Sequence, residues 1–335
     1  MRRFLQRNNF EMIRRALGQR LNRDVMPGAI EKIRIVLEKH GEFYHPARIE
    51  AVLYGTKFSF VLNVAVSSTG MRHVEGEYRL FKKLNDKYDF PFLPRVYGRG
   101  KVVLHDNQST GMFLGEWFEG YHEFHISRDG SGKKNKIIVW DSDLDNYFLS
   151  ASQTFDIYNQ AAKILTCYYD LETFEQIFPW HHAAGDFIVK AGQNQLALKL
   201  IAVRRYAALF ESPADKNADL ILQAMLIFLL NLSIRMRIDR LDGVGDIVWA
   251  DEISVYAAIR GFFEGLDQKT RIPLLPDMPS RCFRYYLSRC TEADLFDLSV
   301  ALVNSFQPEI PEVPVIKKHL GEHVATLCRS IRNCL

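Results

Sequence analysis

Residues 180–203 read WHHAAGDFIVKAGQNQLALKLIAV. Two apolar runs, 187–190 and 196–203, flank Gly192-Gln193-Asn194, and short apolar runs about a Gly/Asn turn predict a β-hairpin. His181, His182 and Asp186 precede the first run, and Arg204 and Arg205 follow the second. The ends of one hairpin therefore gather imidazole, carboxylate and guanidinium groups, which makes them candidates for chemistry.

On the C-terminal side the chain is mostly helical. Apolar spacing of three and four predicts helices over 157–174, 218–239, 255–266, 282–287 and 293–303. Pro308, Pro311 and Pro314 read as a stiff connector to a last amphipathic helix through Ile316, Leu320, Val324, Leu327 and Ile331. On the N-terminal side, Phe10, Ile13, Leu17 and Leu21 mark an amphipathic helix, and Ile30, Ile33, Val36 and Leu37 predict a second one over 27–39. Alternating β-branched and aromatic residues over 48–66, split by Gly55-Thr56, predict a hairpin. Val74, Tyr78, Phe81 and Leu84 then give a helix over 71–88, with strands at 96–104 and 112–118 and a further hairpin tip at 127–134. The expected class is α+β, with a small antiparallel sheet lobe before a larger, mainly helical one. The boundaries fall at 1–47 for an N-terminal helical extension, 48–118 for the sheet lobe, 119–307 for the helix-rich lobe and 308–335 for the connector and terminal helix.

Composition narrows the classes. The 335 residues are 47% hydrophobic and 25% charged, with a formal net charge of +3, which is globular and too weakly basic to imply a nucleic-acid partner. Five cysteines without a C-x-x-C pair make a poor disulfide framework, and the basic N-terminal segment lacks the apolar core of a secretory signal, so the expected location is cytoplasmic. The apolar run 220–234 is too short to cross a bilayer and contains Gln223 and Asn231, so it reads as a buried helix rather than a membrane span.

A small sheet carrying one helix, then Glu116-Trp117-Phe118-Glu119-Gly120 leading into a helical lobe with an embedded hairpin, resembles the protein-kinase-like fold. It looks most like the aminoglycoside and choline phosphotransferase branch. The resemblance implies ATP with Mg in an interlobe cleft, a hinge at 114–120 with Glu116 and Phe118 near the nucleotide, and Gly55 and Lys57 near its phosphates. It further implies that Glu77, in Glu-Tyr-Arg-Leu-Phe-Lys-Lys-Leu, is the orienting acid and that Asp186 holds a metal. His181 falls where the family has its catalytic Asp and can serve as base. The chain departs from the family in three places: the catalytic Asp position falls on His181, the second metal Asp position falls near Ala202, and residues 62–68 offer no Lys; if Arg204 and Arg205, at the end of their strand, point into the cleft, they bring positive charge where the family has Mg. The expectation is a degenerate, pseudokinase-type ligand-binding or regulatory protein; the alternative is an active ATP-dependent small-molecule phosphotransferase. The partners this reading allows are a small molecule in the cleft and a protein partner or homodimer.

Other groupings read as structural. His181-His182 with Asp186 has transition-metal ligand types, but adjacent residues on an extended segment diverge. Asp141 to Asn146 opens like a calcium loop yet has Asn146 at its sixth position and Ser152 at its twelfth. Arg235 and Asp239 are four apart and are expected to pair along a helix surface, with Arg235 and Arg237 as an anion subsite in the other reading. No G-x-S-x-G, H-E-x-x-H, Walker or dinucleotide motif occurs.

Overall fold

The computed structural model describes residues 7–39, 41, 43–103, 109–129, 135–141, 145–181, 185–192, 196–210, 216–307 and 309–334. The fold is α+β, with antiparallel sheets in the N-terminal half and helices dominating thereafter. The chain divides into two compact units, residues 1–120 and 121–335.

In the first unit, strands β1 (Ile30–Leu37), β2 (His45–Leu53), β3 (Thr56–Ala65), β4 (Val96–Val103) and β5 (Ser109–Glu116) form one antiparallel sheet in the order β1-β2-β3-β5-β4. The β2–β3 turn is Tyr54-Gly55, with φ of 50° and 70°. Two successive residues with positive φ match the right-handed twist of a hairpin, and Gly55 takes this conformation without steric cost. Helix α1 (Arg7–Leu21) lays Met12, Ile13, Ala16 and Leu17 on one face of the sheet, against Ile49, Phe60, Leu62 and Leu114. Helix α2 (Ser68–Lys87) buries Val74, Glu77, Phe81 and Leu84, and Phe81 and Tyr78 approach Phe113 with ring centroids 6.2 Å apart. Because Phe113 belongs to the opposite pleat from Met112 and Leu114, α1 and α2 cover opposite faces.

The expected helix over 27–39 is strand β1. Its ladder slips by one residue between Ile30 and Lys32, so Ile30, Ile33 and Ile35 all meet the same core and their spacing imitates a helical period. The sheet therefore begins at residue 30, inside the stretch read as a helical extension.

In the second unit, β6 (His122–Arg128), β7 (Asn135–Trp140), β8 (Tyr147–Phe148), β9 (Gln176–Ile177), β10 (Phe187–Ala191), β11 (Leu196–Leu200) and β12 (Tyr206–Ala207) accompany helix α3 (Ala151–Cys167). One sheet runs β11-β10-β6-β7-β8, and β9 pairs with β12. Helix α4 (Ala218–Arg235) is buried on nearly every side; by length and composition it could cross a membrane, but 67% of its apolar window is buried inside the unit. It ends at Arg235, not 239, where the chain turns into the hairpin β13 (Ile238–Arg240) and β14 (Ile247–Trp249). Helices α5 (Ile253–Leu266), α6 (Pro279–Leu287), α7 (Glu292–Asn304) and α8 (Glu312–Cys334) complete the unit. Helix α5 meets α3 at Gly261, where a Cβ would come within 2.0 Å of the Asn159 carbonyl oxygen, so only glycine permits that approach. Helix α8 begins at Glu312 and includes Pro314 in its first turn, where a missing N–H costs nothing, so the connector is shorter than expected. Most of the expected tip at 127–134 and half of the Asp141 to Asn146 run lie outside the described residues.

Candidate functional site

The local fold brings His181, Asp186 and Arg204 together. Strand β10 pairs with β11 so that Phe187 faces Leu200, and the Ile201 N–H donates to the Asp186 carbonyl at 2.8 Å. Beyond β11 the chain returns along its own approach: Tyr206 pairs with Ile177, and the Phe178 N–H donates to the Arg205 carbonyl at 3.1 Å. The segments before β10 and after β11 therefore run side by side.

Asp186 is 1% exposed. Its Oδ2 accepts the His181 backbone N–H at 2.7 Å and Arg204 Nη1 at 2.5 Å, while its Oδ1 accepts Arg204 Nη2 at 2.6 Å. This is a two-pronged guanidinium–carboxylate pair, the geometry in which charge-assisted hydrogen bonds are strongest. The expected metal ligand thus already has a cation, supplied by the chain. Ala202 offers no second carboxylate, and among the described residues no three His, Cys, Asp or Glu side chains form a metal-holding group. These side chains do not fit a Mg site. His182, of the alternative His-His-Asp metal reading, lies outside the described residues.

The His181 imidazole is held below its ordinary pKa, first by burial and then by the positive charges of Arg204 and Arg235, with Asp186 and Glu312 acting the other way. It is therefore neutral at neutral pH. Arg235 closes α4 in a buried position, its guanidinium 5.0 Å from the ring centres of both Phe178 and Phe306. Arg237 lies 4.8 Å over Trp249 and donates through Nε to the Ala250 carbonyl at 2.9 Å. The expected Arg235–Asp239 pairing on one helix surface does not form, because the helix has ended and Asp239 belongs to β13. Burial pushes the Asp239 carboxyl up to about 7, the nearby charge of Asp186 adds to the rise, and the Arg240 backbone N–H opposes it. Neither the aromatic bracket on Arg235 nor the proximity of Asp239 to Asp186 was visible in the sequence, since both depend on the turn after α4.

The remaining expected site residues belong to the first unit. Glu77 is buried on α2. On β3 the buried Asn63 pairs with Phe113, whose ring meets α2, so Asn63 shares the α2 side of the sheet and no strand Lys stands there. Gly55 forms the exposed β2–β3 turn, and its N–H donates to Glu31 Oε1 at 2.9 Å. Lys57 is about half exposed and lies 3.4 Å from Glu50 Oε1 on the neighbouring strand. Glu116 ends β5 and accepts the Arg95 N–H at 3.3 Å, and Phe118 follows it as a half-buried residue.

No protein-family model and no curated protein matches the chain. Among solved structures it is similar to one described as WaaP in complex with acyl carrier protein, with 11% sequence identity and a TM-score of 0.33, over 86% of this chain and 96% of that one. At that identity and score the likeness transfers no function.

Proposed function

We propose that this protein is a kinase-like binding or regulatory protein, of pseudokinase type, in which a fixed guanidinium has taken the place of a catalytic metal. The observation that carries the reading is the engagement of both Asp186 oxygens by Arg204 and the His181 N–H. Phosphoryl transfer relies on mobile Mg to neutralise the moving charge, and a guanidinium anchored on a buried carboxylate is a poor substitute. That Asn63 rather than a Lys stands on the α2 side of β3 supports the same reading.

A second reading, an active small-molecule phosphotransferase, is favoured by the neutral imidazole of His181, which is the protonation state of a general base. It requires Asp186 to exchange Arg204 for a cation. Thermal shift with ATP, GTP and ADP, each with and without Mg or Mn, separates the two. A site held at a hundred times its Kd adds about 2.7 kcal/mol, a rise of several degrees in Tm. The expected outcome is no metal-dependent rise with any nucleotide. ATP turnover that depends on Mg and disappears in Asp186→Ala would establish the second reading instead.

A further inference from the structure

Strand β4 is an outer strand of the first sheet; among the described residues its one ladder partner is β5. An outer strand presents a row of backbone N–H and C=O groups that an added extended chain can complete. A cavity of about 330 Å³ is lined by five consecutive β4 residues, 97–101, with Glu11, Met12 and Arg15 of α1 as its wall. Successive strand side chains point to opposite faces, so a cavity touching five in a row follows the edge of the strand rather than one face. A second cavity, of about 440 Å³, again takes in Gly100 and Lys101 and is walled by Met71 and Val74 of α2. The two cavities open on the α1 and α2 sides and share Gly100 and Lys101, and Gly98, in the first cavity, and Gly100 put no side chain over the backbone.

The rim is positive. Glu11 is engaged by Arg14 and Arg15, and Glu75 by Arg79 and Arg99. The exposed Lys101 and Arg72 make no ion pair among the described residues, and Arg72 donates only to the Thr69 hydroxyl at 3.2 Å. A second copy adding through its own β4 would set Arg99 and Lys101 against their like, which disfavours self-pairing. We propose that β4 is a docking strand for an extended acidic segment of a partner protein, which joins the sheet edge and sends alternate side chains into the two cavities.

Hydrogen–deuterium exchange on the full chain tests this with an eight-residue peptide alternating Glu and Val, matched to the eight residues of β4. The expected result is slowed exchange over 96–103 but not over β1, the other outer strand. A Lys/Val peptide should bind at least about tenfold more weakly, and the surface variant Arg72→Glu/Lys101→Glu should reverse the preference. No slowing over 96–103 at about 1 mM peptide overturns the proposal, as does equal binding of the Lys/Val peptide. Concentration-dependent dimerisation that slows the same amides without peptide would assign the edge to a second copy. None of these readouts depends on nucleotide or metal, so they stand or fall apart from the functional reading above.

Discussion

A carboxylate as enclosed as that of Asp186 depends on its partners. Removing Arg204 as Arg204→Met leaves the charge buried, and the loss of a buried partner costs about 3–5 kcal/mol, here reduced to about 2–3 kcal/mol because the Arg204 side chain is 36% exposed. Urea denaturation of Arg204→Met should show this loss. Adding Asp186→Asn should recover part of it, because the amide oxygen still accepts the His181 N–H while the stranded charge is gone. A double variant less stable than Arg204→Met would refute the pairing as the source of the effect. The sequence placed Asp186 and Arg204 at the two mouths of one hairpin, and strand register alone brings Ile201 beside Asp186. What it did not reveal was the return of 204–207 along 176–178, a contact made by backbone groups that carry no side-chain signature.

Among the secondary elements, α4 and α8 meet at a buried polar contact. The Ser233 hydroxyl donates to the Leu230 carbonyl at 3.0 Å and lies 3.2 Å from His323 Nε2, so it accepts the ring proton. Burial, reinforced by Arg237, drives the His323 pKa down to about 3. The unfolded chain therefore binds more protons than the folded one between about pH 6.5 and 3, and stability falls with acid over that window. Asp239, raised to about 7, acts in the opposite sense: the folded state holds the extra proton as pH falls, and stability rises from about pH 7 towards the ordinary Asp range. The two partly cancel. Asp239→Asn removes the compensating gain, so its Tm should fall more steeply than that of the parent between about pH 7 and pH 5, and parallel curves would reject the assignment. Long amphipathic helices such as α2 and α8 were legible because one face is buried over several turns. The register slip in β1 imitated a helical period, and the end of α4 was missed because the apolar pattern continues through Met236 and Ile238 into β13.

At the scale of the molecule, each unit carries its own apolar core, and the five cysteines are all unbridged. Burial raises the Cys167 thiol to about 11, and Cys282 and Cys328 are also buried. Reductant should therefore leave Tm unchanged, and a thiol reagent should modify the half-buried Cys290 and Cys334 well before the other three; equal rates at all five would contradict this packing. The first unit is also continuous in sequence, yet among the described residues the apolar face of α1 packs against residues that come after it, from Val25 to Leu114 of β5. During synthesis at about 5–20 residues per second, the apolar face of α1 waits roughly 5–20 s for its sheet to emerge. That interval, fixed by the order of elements along the chain, leaves the apolar face of α1 exposed on the nascent chain until β5 has been made.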